Sequence, residues 1–468
     1  MTNPTDLDAI GQAQAIASGT VSPSELLETA IARAEASNPA FNFMAQKLYD
    51  RARSAPPATG PFAGVPFLVK DLHVHIKGER SGEGSNLWRD YRPDYNSVLY
   101  DRILAAGFNT FGKTTSPELG LTVTTESVAY GLTRNPWNPA HSAGGSSGGS
   151  AVAVAAGVVP MAQASDGGGS IRCPAAACGV FGLKPSRGRV PGGPKGTEAW
   201  LGLTVVGAVS RSVRDSAAFL DAIHGAELGS RYVAPAPDGS FLSAVTRAPG
   251  RLRVALNLAP PAGSPVDPEI IAATRAAAKL LESLGHHVEE ANPPLSGGEL
   301  GNAMVAVLAG CTAADIANRL AEMGRDSAGD DIETVTQMYV HVGGQTSALQ
   351  ILEANAAFQR AAIAVAQFQA DYDVILSPVF AQPVIELGKV DLTDVATYTA
   401  NVLTYSPFTA LYNQTGQPAM SLPLGTDSKG LPIGIMIAGR YGDEALLYAL
   451  AGQVEAAAPW AGRRPVAG

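Results

Sequence analysis

Apolar positions along the chain alternate between a helical period of three to four and short, nearly continuous runs, and that alternation predicts the elements. Near the start, "VSPSELLETAIARAEASNP" places Ser22 as a cap, Pro23 at the first helical position and Glu25 three residues after the cap, which predicts a helix. "SVLYDRILAAG" and the small-residue run "SAVAVAAGVVP" predict two more. "VDPEIIAATRAAAKLLESLG" follows, with Asp267 as cap, Pro268 next and Gly285 as stop, and "DEALLYALAGQVEAA" is the last helix. Between them, "GPFAGVPFLVKDL" (ending at Lys70 and Asp71), "FNTFGKT", "RLRVALNL", "HHVEEA", "DVILSPV", "AMSLPLG" and "PIGIMIAG" read as strands. Strands interleaved with helices predict an α/β fold with a mixed sheet. Residues 295–370 read as mainly helical, a cap on that sheet, and no repeat or heptad array interrupts the chain, so a single domain with a helical insertion is expected.

Composition narrows the function. The chain has 468 residues, 46% hydrophobic and 16% charged, with a formal net charge of −9. It can bury a large core, and it lacks the clustered Lys and Arg that nucleic-acid binding needs, so no nucleic-acid partner is expected. Cys173, Cys178 and Cys311 are too scattered for a disulfide framework or a four-thiolate zinc site and suit a reducing compartment. "MTNPTDLDAI" has no signal-peptide pattern, and the most apolar run, residues 151–164, falls short of the ~20 residues of a membrane span. A soluble, cytoplasmic protein without a membrane partner is the expectation.

Two motifs invite a wrong turn. "GFNTFGKT", Gly107 to Thr114, matches the G-x-x-x-x-G-K-T of a phosphate-binding loop, but a helix precedes its first glycine and Phe108 and Phe111 alternate as in a buried strand. Nucleotide binding is therefore not expected. His73 and His75 have the spacing of two ligands on one strand face with no third ligand evident, so no metal is expected. His286 and His287 read as the solvent-facing start of a strand.

The chemistry concentrates in "GGSSGGSAVAVAAGVVPMAQASDGGGSIRCPAAACGVFGLKP". Asp166 is the single charged residue between Ser142 and Ile171, and "DGGGS" sets three glycine N–H groups before a serine, the arrangement of an oxyanion hole beside a nucleophile. An isolated Gly-Ser cluster is more often a turn. Here two clusters bracket one buried run, with Ser170 standing 24 positions after Ser146.

That stretch resembles the amidase signature family, as do "GVPFLVKD", "GKTTSPE", "TRNPWNP" and "NQTGQPAMSLPLG", in order over residues 5–465. The resemblance implies a catalytic domain over residues 1–468, its signature core over 60–240 and the helical insertion over 295–370 lining the substrate pocket. It also implies a central mixed β-sheet covered by helices on both faces. It assigns Lys70 as general base, Ser146 as bridging serine after a cis peptide bond, and Ser170 as nucleophile. The N–H groups of Gly167, Gly168, Gly169 and Ser170 would hold the oxyanion. Asp166 and Arg172 would support them, and Gly167 departs from the threonine or similar residue common there. Ser147 reads as a hydroxyl bonded to backbone. Thr125, Arg189 and Cys311 are candidate substrate contacts, with Arg187 and Arg189 placed either near the pocket mouth or in surface salt bridges and a packed thiol the plainer role for Cys311. Cys173 and Cys178 read as core.

The implied activity is a cofactor-free serine amidohydrolase, in which a lysine serves as base only if its pKa falls well below the usual 10.4 or so. Its substrate would be a small carboxamide, extending to anilides, esters or carbamates (urethanes). "FAGVP", "RNPWNP" and the closing "PWAGRRP" look most like bacterial relatives that hydrolyse nylon oligomers and like urethane-cleaving amidases. The rival reading is the glutamine-hydrolysing component of a tRNA-dependent amidotransferase complex. Many relatives form homodimers.

Overall fold

The computed structural model describes residues 3–261 and 263–465. Its centre is an eight-stranded mixed sheet. In spatial order the strands are His287–Glu290, Arg253–Leu256, Val374–Pro378, Pro432–Ala438, Ala419–Thr426, Phe181–Lys184, Val205–Ser210 and Met161–Asp166. The first three are parallel to one another and every later pair is antiparallel. Side chains alternate across it. Val254, Leu256, Leu376, Ile435 and Ile437 face a core shared with helices Val213–Ile223, Pro268–Ser283 and Glu444–Ala457. Ala255, Ile375, Met436 and Ala438 face one shared with helices Arg172–Cys178 and Ala348–Phe368. Burial on both faces is why these strands read as continuous apolar runs.

A second sheet sets strand Asn109–Thr114 between Met44–Lys47 and Pro66–Lys70. It joins the edge of the large sheet through polar contacts. The Lys70 N–H donates to Gln163 Oε1 (2.9 Å), Thr114 Oγ1 meets Ser150 Oγ (2.8 Å), and Ser150 Oγ donates to Gln163 O (2.7 Å).

The predicted elements form where expected, including helix Pro23–Phe41 with its reciprocal Ser22–Glu25 capping box and helix Pro268–Ser283 behind Asp267. Strands Met44–Lys47, Met161–Asp166, Phe181–Lys184 and Val205–Ser210 were not expected. In "MAQASD" the polar residues Gln163, Ser165 and Asp166 are as buried as the apolar ones, so no alternation marks the strand. The segment read as helical forms helices Gly297–Met323, Thr334–Gln345 and Ala348–Phe368.

The first of these corrects the hydropathy reading. With a mean hydropathy of 1.5, helix Gly297–Met323 is long and apolar enough by composition to cross a membrane. In the fold it buries Leu300, Ala303, Val307 and Ala309 against two apolar clusters. A second correction concerns His286, which is buried: its Nδ1 accepts from the Leu252 N–H (3.1 Å) and its Nε2 pairs with Gln453 Oε1 (2.8 Å). "GFNTFGKT" is no phosphate loop. Lys113 lies inside strand Asn109–Thr114, fully buried, with Nζ 3.0 Å from Asp71 Oδ1 and 2.7 Å from Arg80 O.

Candidate active site

Strand Pro66–Lys70 is buried along its whole length and ends in a lysine. Lys70 Nζ lies 2.7 Å from Ser146 Oγ and 3.0 Å from Ser165 Oγ. Burial pushes the ammonium down from 10.5 to about 7, against the opposing pull of the Asp166 and Glu83 carboxylates. A fully buried cation is costly, so a substantial share of the amine is neutral near physiological pH.

Ser146 is delivered by the turn between strand Asn138–Ser142 and helix Gly148–Ala155, after a cis Gly145–Ser146 bond. A Cβ at Gly145 would strike the Thr124 backbone, which explains the glycine. Thr125 grips the same turn: its Oγ1 donates to Gly144 O (2.8 Å) and accepts from the Gly148 N–H (3.1 Å). Its hydroxyl therefore positions Ser146 and is not free to meet substrate. Ser147 Oγ donates to Ser165 O (3.1 Å) and accepts from the Ser165 N–H (3.3 Å), a backbone-bonded hydroxyl that ties the turn to the edge strand.

That strand ends at Asp166, and the loop from Gly167 carries the half-buried Ser170 into helix Arg172–Cys178. Asp166 and Arg172 are completely buried and organise the loop. The carboxylate accepts from the N–H groups of Gly169 (2.8 Å) and Ile171 (3.1 Å), from Arg172 Nε and Nη2 (2.9 Å each) and from Asn413 Nδ2 (2.9 Å). Despite burial, the Arg172 guanidinium holds the Asp166 carboxyl far below the usual carboxylate range. Arg172 Nη1 also donates to Thr409 O (2.8 Å), and Thr409 Oγ1 donates to Gly168 O (2.6 Å).

One expected oxyanion donor is removed by this network, since the Gly169 N–H is already held by Asp166. Among the described residues, the N–H groups of Gly167, Gly168 and Ser170 donate to no side chain or turn carbonyl.

Two arginines offered for the pocket mouth spend their donors on the protein itself. Arg189 is 2% exposed, paired with Glu444 (2.8 Å) and donating to Pro235 O and Gly442 O. Arg187 donates to the carbonyls of Gly202 (2.7 Å), Asn413 (2.6 Å) and Gln414 (2.9 Å). Both brace loops. Cys311 is half-buried on helix Gly297–Met323, and burial, then Asp315, raises its thiol to about 11. Cys173 and Cys178 are buried. His73 and His75 both approach Glu83 (3.6 and 3.4 Å), and among the described residues no His, Cys, Asp and Glu group is arranged to hold a metal.

Ser165, Gln163, Thr409 and Asn413 join the site without having stood out in the sequence. Gln163 and Ser165 recur at period two in an otherwise apolar stretch, a signal of two buried polar side chains facing one partner. Asn413 opens "NQTG", and its place in that motif is the signal that could have found it.

Residues 25–448 match the family model described as Amidase. The chain belongs to the amidase signature family. This amidase is 39% identical, over 98% of its length and 96% of the relative's, to a 6-aminohexanoate-cyclic-dimer hydrolase of Paenarthrobacter ureafaciens. Among solved structures, 6-aminohexanoate cyclic dimer hydrolase complexed with substrate superposes with a TM-score of 0.93 at 37% identity, covering 98% of this amidase and 99% of that chain. A bacterial aryl acylamidase of the same family gives 0.87 at 29% identity, with 98% and 99% covered. A glutamyl-tRNA(Gln) amidotransferase chain from Thermotoga maritima gives 0.79 at 24% identity over 98% of this amidase and 96% of that chain, which shows the shared fold alone.

Proposed function

We propose that this amidase hydrolyses small carboxamides through an acyl-enzyme on Ser170, with Ser146 and Lys70 as its proton relay. The observation that supports it is the fully buried Lys70 amine, its pKa lowered to about 7, held 2.7 Å from Ser146 Oγ. Lys70 takes the Ser146 proton as Ser146 takes that of Ser170, and the Ser170 oxygen attacks the carbonyl carbon. The resulting oxyanion is met by the N–H groups of Gly167, Gly168 and Ser170. The proton returns through Ser146 to the departing nitrogen, the C–N bond breaks, and water then cleaves the ester by the same relay.

The relatives' names point to aliphatic ω-amino acid amides and aryl amides as substrates, with carbamates and esters following the same acyl chemistry. The three free thiols suit a cytoplasmic setting. Purified protein assayed on a 6-aminohexanoate dimer, a 4-nitroanilide, an aryl carbamate and glutamine tests the reading. Turnover of the amide or anilide that vanishes in Ser170→Ala supports it, while turnover of glutamine alone favours the amidotransferase role.

The pH profile follows from Lys70. The reactive form is the neutral amine, which predominates above about 7 and is protonated below. The rate therefore rises with pH through about 7, and kcat/KM measured from pH 5 to 9 shows an acid limb there. A limb lying with the ordinary carboxylates, with no inflection near neutrality, would exclude Lys70 as the base.

A further inference from the structure

The departure at Gly167 has its explanation in a turn further along the chain. Trp200 (φ 49°) and Leu201 (φ 53°) are consecutive left-handed residues with side chains, followed by Gly202 (φ 83°). Such a conformation persists only where the surroundings over-determine it. Here they do: Arg187 Nε donates to Gly202 O (2.7 Å), and Asn413 Nδ2 donates to Leu203 O (3.1 Å). The same Asn413 nitrogen donates to Asp166 O and Oδ1 (2.9 Å each), so one side chain holds both this turn and the nucleophile loop.

The turn presses an indole onto the loop. A Cβ on Gly167 would lie 2.6 and 2.7 Å from Cζ3 and Cε3 of Trp200, closer than such atoms approach, while one on Gly168 would lie 3.5 Å from Met304 Cε. Trp200, Met304, Val123 and Ile385 are all half-buried, and each packs against the same two separate apolar clusters. They form an apolar lining where those clusters meet, beside two N–H donors for the developing oxyanion.

We propose that Trp200 is a specificity-determining residue, its indole walling the substrate chain next to the scissile carbonyl in the space that a side chain at position 167 would otherwise fill. The inference rests on the oxyanion role of Gly167 and Gly168. A flat ring and a thioether over two glycines accept an unbranched methylene chain, whereas an aryl or branched acyl group meets the ring edge.

The test compares kcat/KM for hexanoyl and benzoyl 4-nitroanilides in wild type, Trp200→Ala, Trp200→Phe, Gly167→Ala and the Gly167→Ala/Trp200→Ala double variant. Calorimetric binding of hexanoate and benzoate gives the same comparison without turnover. Trp200→Ala is expected to shift the hexanoyl-to-benzoyl ratio toward benzoyl by about tenfold or more, with Trp200→Phe between it and wild type. Gly167→Ala is expected to lose activity on both substrates, and removing the indole in the double variant to restore part of it. An unchanged ratio in both assays, or a double variant no better than Gly167→Ala, overturns the proposal. Hydrolysis that survives Ser170→Ala would instead defeat the acyl-enzyme reading and leave the ratio test standing.

Discussion

Lys70→Met lowers kcat/KM by at least a hundred- to ten-thousandfold, roughly what a general base supplies, while the protein stays folded. Methionine fills the volume of the buried lysine without its amine. Above about pH 7 the amine is mostly neutral, so its removal strands no charge and the loss is confined to the contacts with Ser146 and Ser165. The three residues of the proposed relay act as one unit, so Lys70→Met/Ser170→Ala is expected to be no slower than Ser170→Ala alone. Circular dichroism and single-turnover kinetics check both halves. A near-wild-type rate in Lys70→Met, or a multiplicative double variant, would require another base.

Asp166→Ala destabilises the protein by about 3–5 kcal/mol, the range for stripping one member from a buried ion pair. The carboxylate organises six donor groups, and its removal leaves the fully buried Arg172 guanidinium with Asn413 Oδ1, Thr409 O and Met436 Sδ but no anion beside it. The Gly169 N–H loses its acceptor too, so the nucleophile loop relaxes and activity falls with stability. Urea unfolding followed by circular dichroism reads the effect as a lower midpoint. An unchanged midpoint would mean that the pair contributes nothing to the fold.

Most of the architecture was legible because it rests on short-range chemistry. The capping serine at Ser22, the Asp267-Pro268 helix start and the two-sided apolar strands each declare themselves within a few residues. What escaped notice depends on distant neighbours. Strand Met161–Asp166 is polar at half its positions, because the side chains of Gln163 and Ser165 accept from Lys70 and that of Asp166 from Asn413, residues in other parts of the chain. The proposed catalytic residues were named through the resemblance of their motifs to the amidase signature family, whereas their partners Ser165, Thr409 and Asn413 became apparent only when the chain was folded. Thr125 and Arg189 had the right chemistry for substrate, but their polar atoms are already engaged by the Gly144 and Gly148 backbone and by Glu444.

The two sheets have a consequence for how this enzyme fails. Lys70 belongs to the three-stranded sheet, and Ser165 to the edge strand of the eight-stranded one. The proposed proton route, from Ser170 beyond that edge strand through Ser146 to Lys70, therefore crosses from one sheet to the other, and an ångström of slip between them would part the amine from its hydroxyls while each ladder stays whole. Misplacement on that scale alone is worth about a hundredfold in rate. Catalysis by that route would gauge sheet-to-sheet registration: gentle heating or dilute denaturant is expected to silence the enzyme before backbone amides begin to exchange, and a distant substitution that shifts the seam to show first as lost turnover.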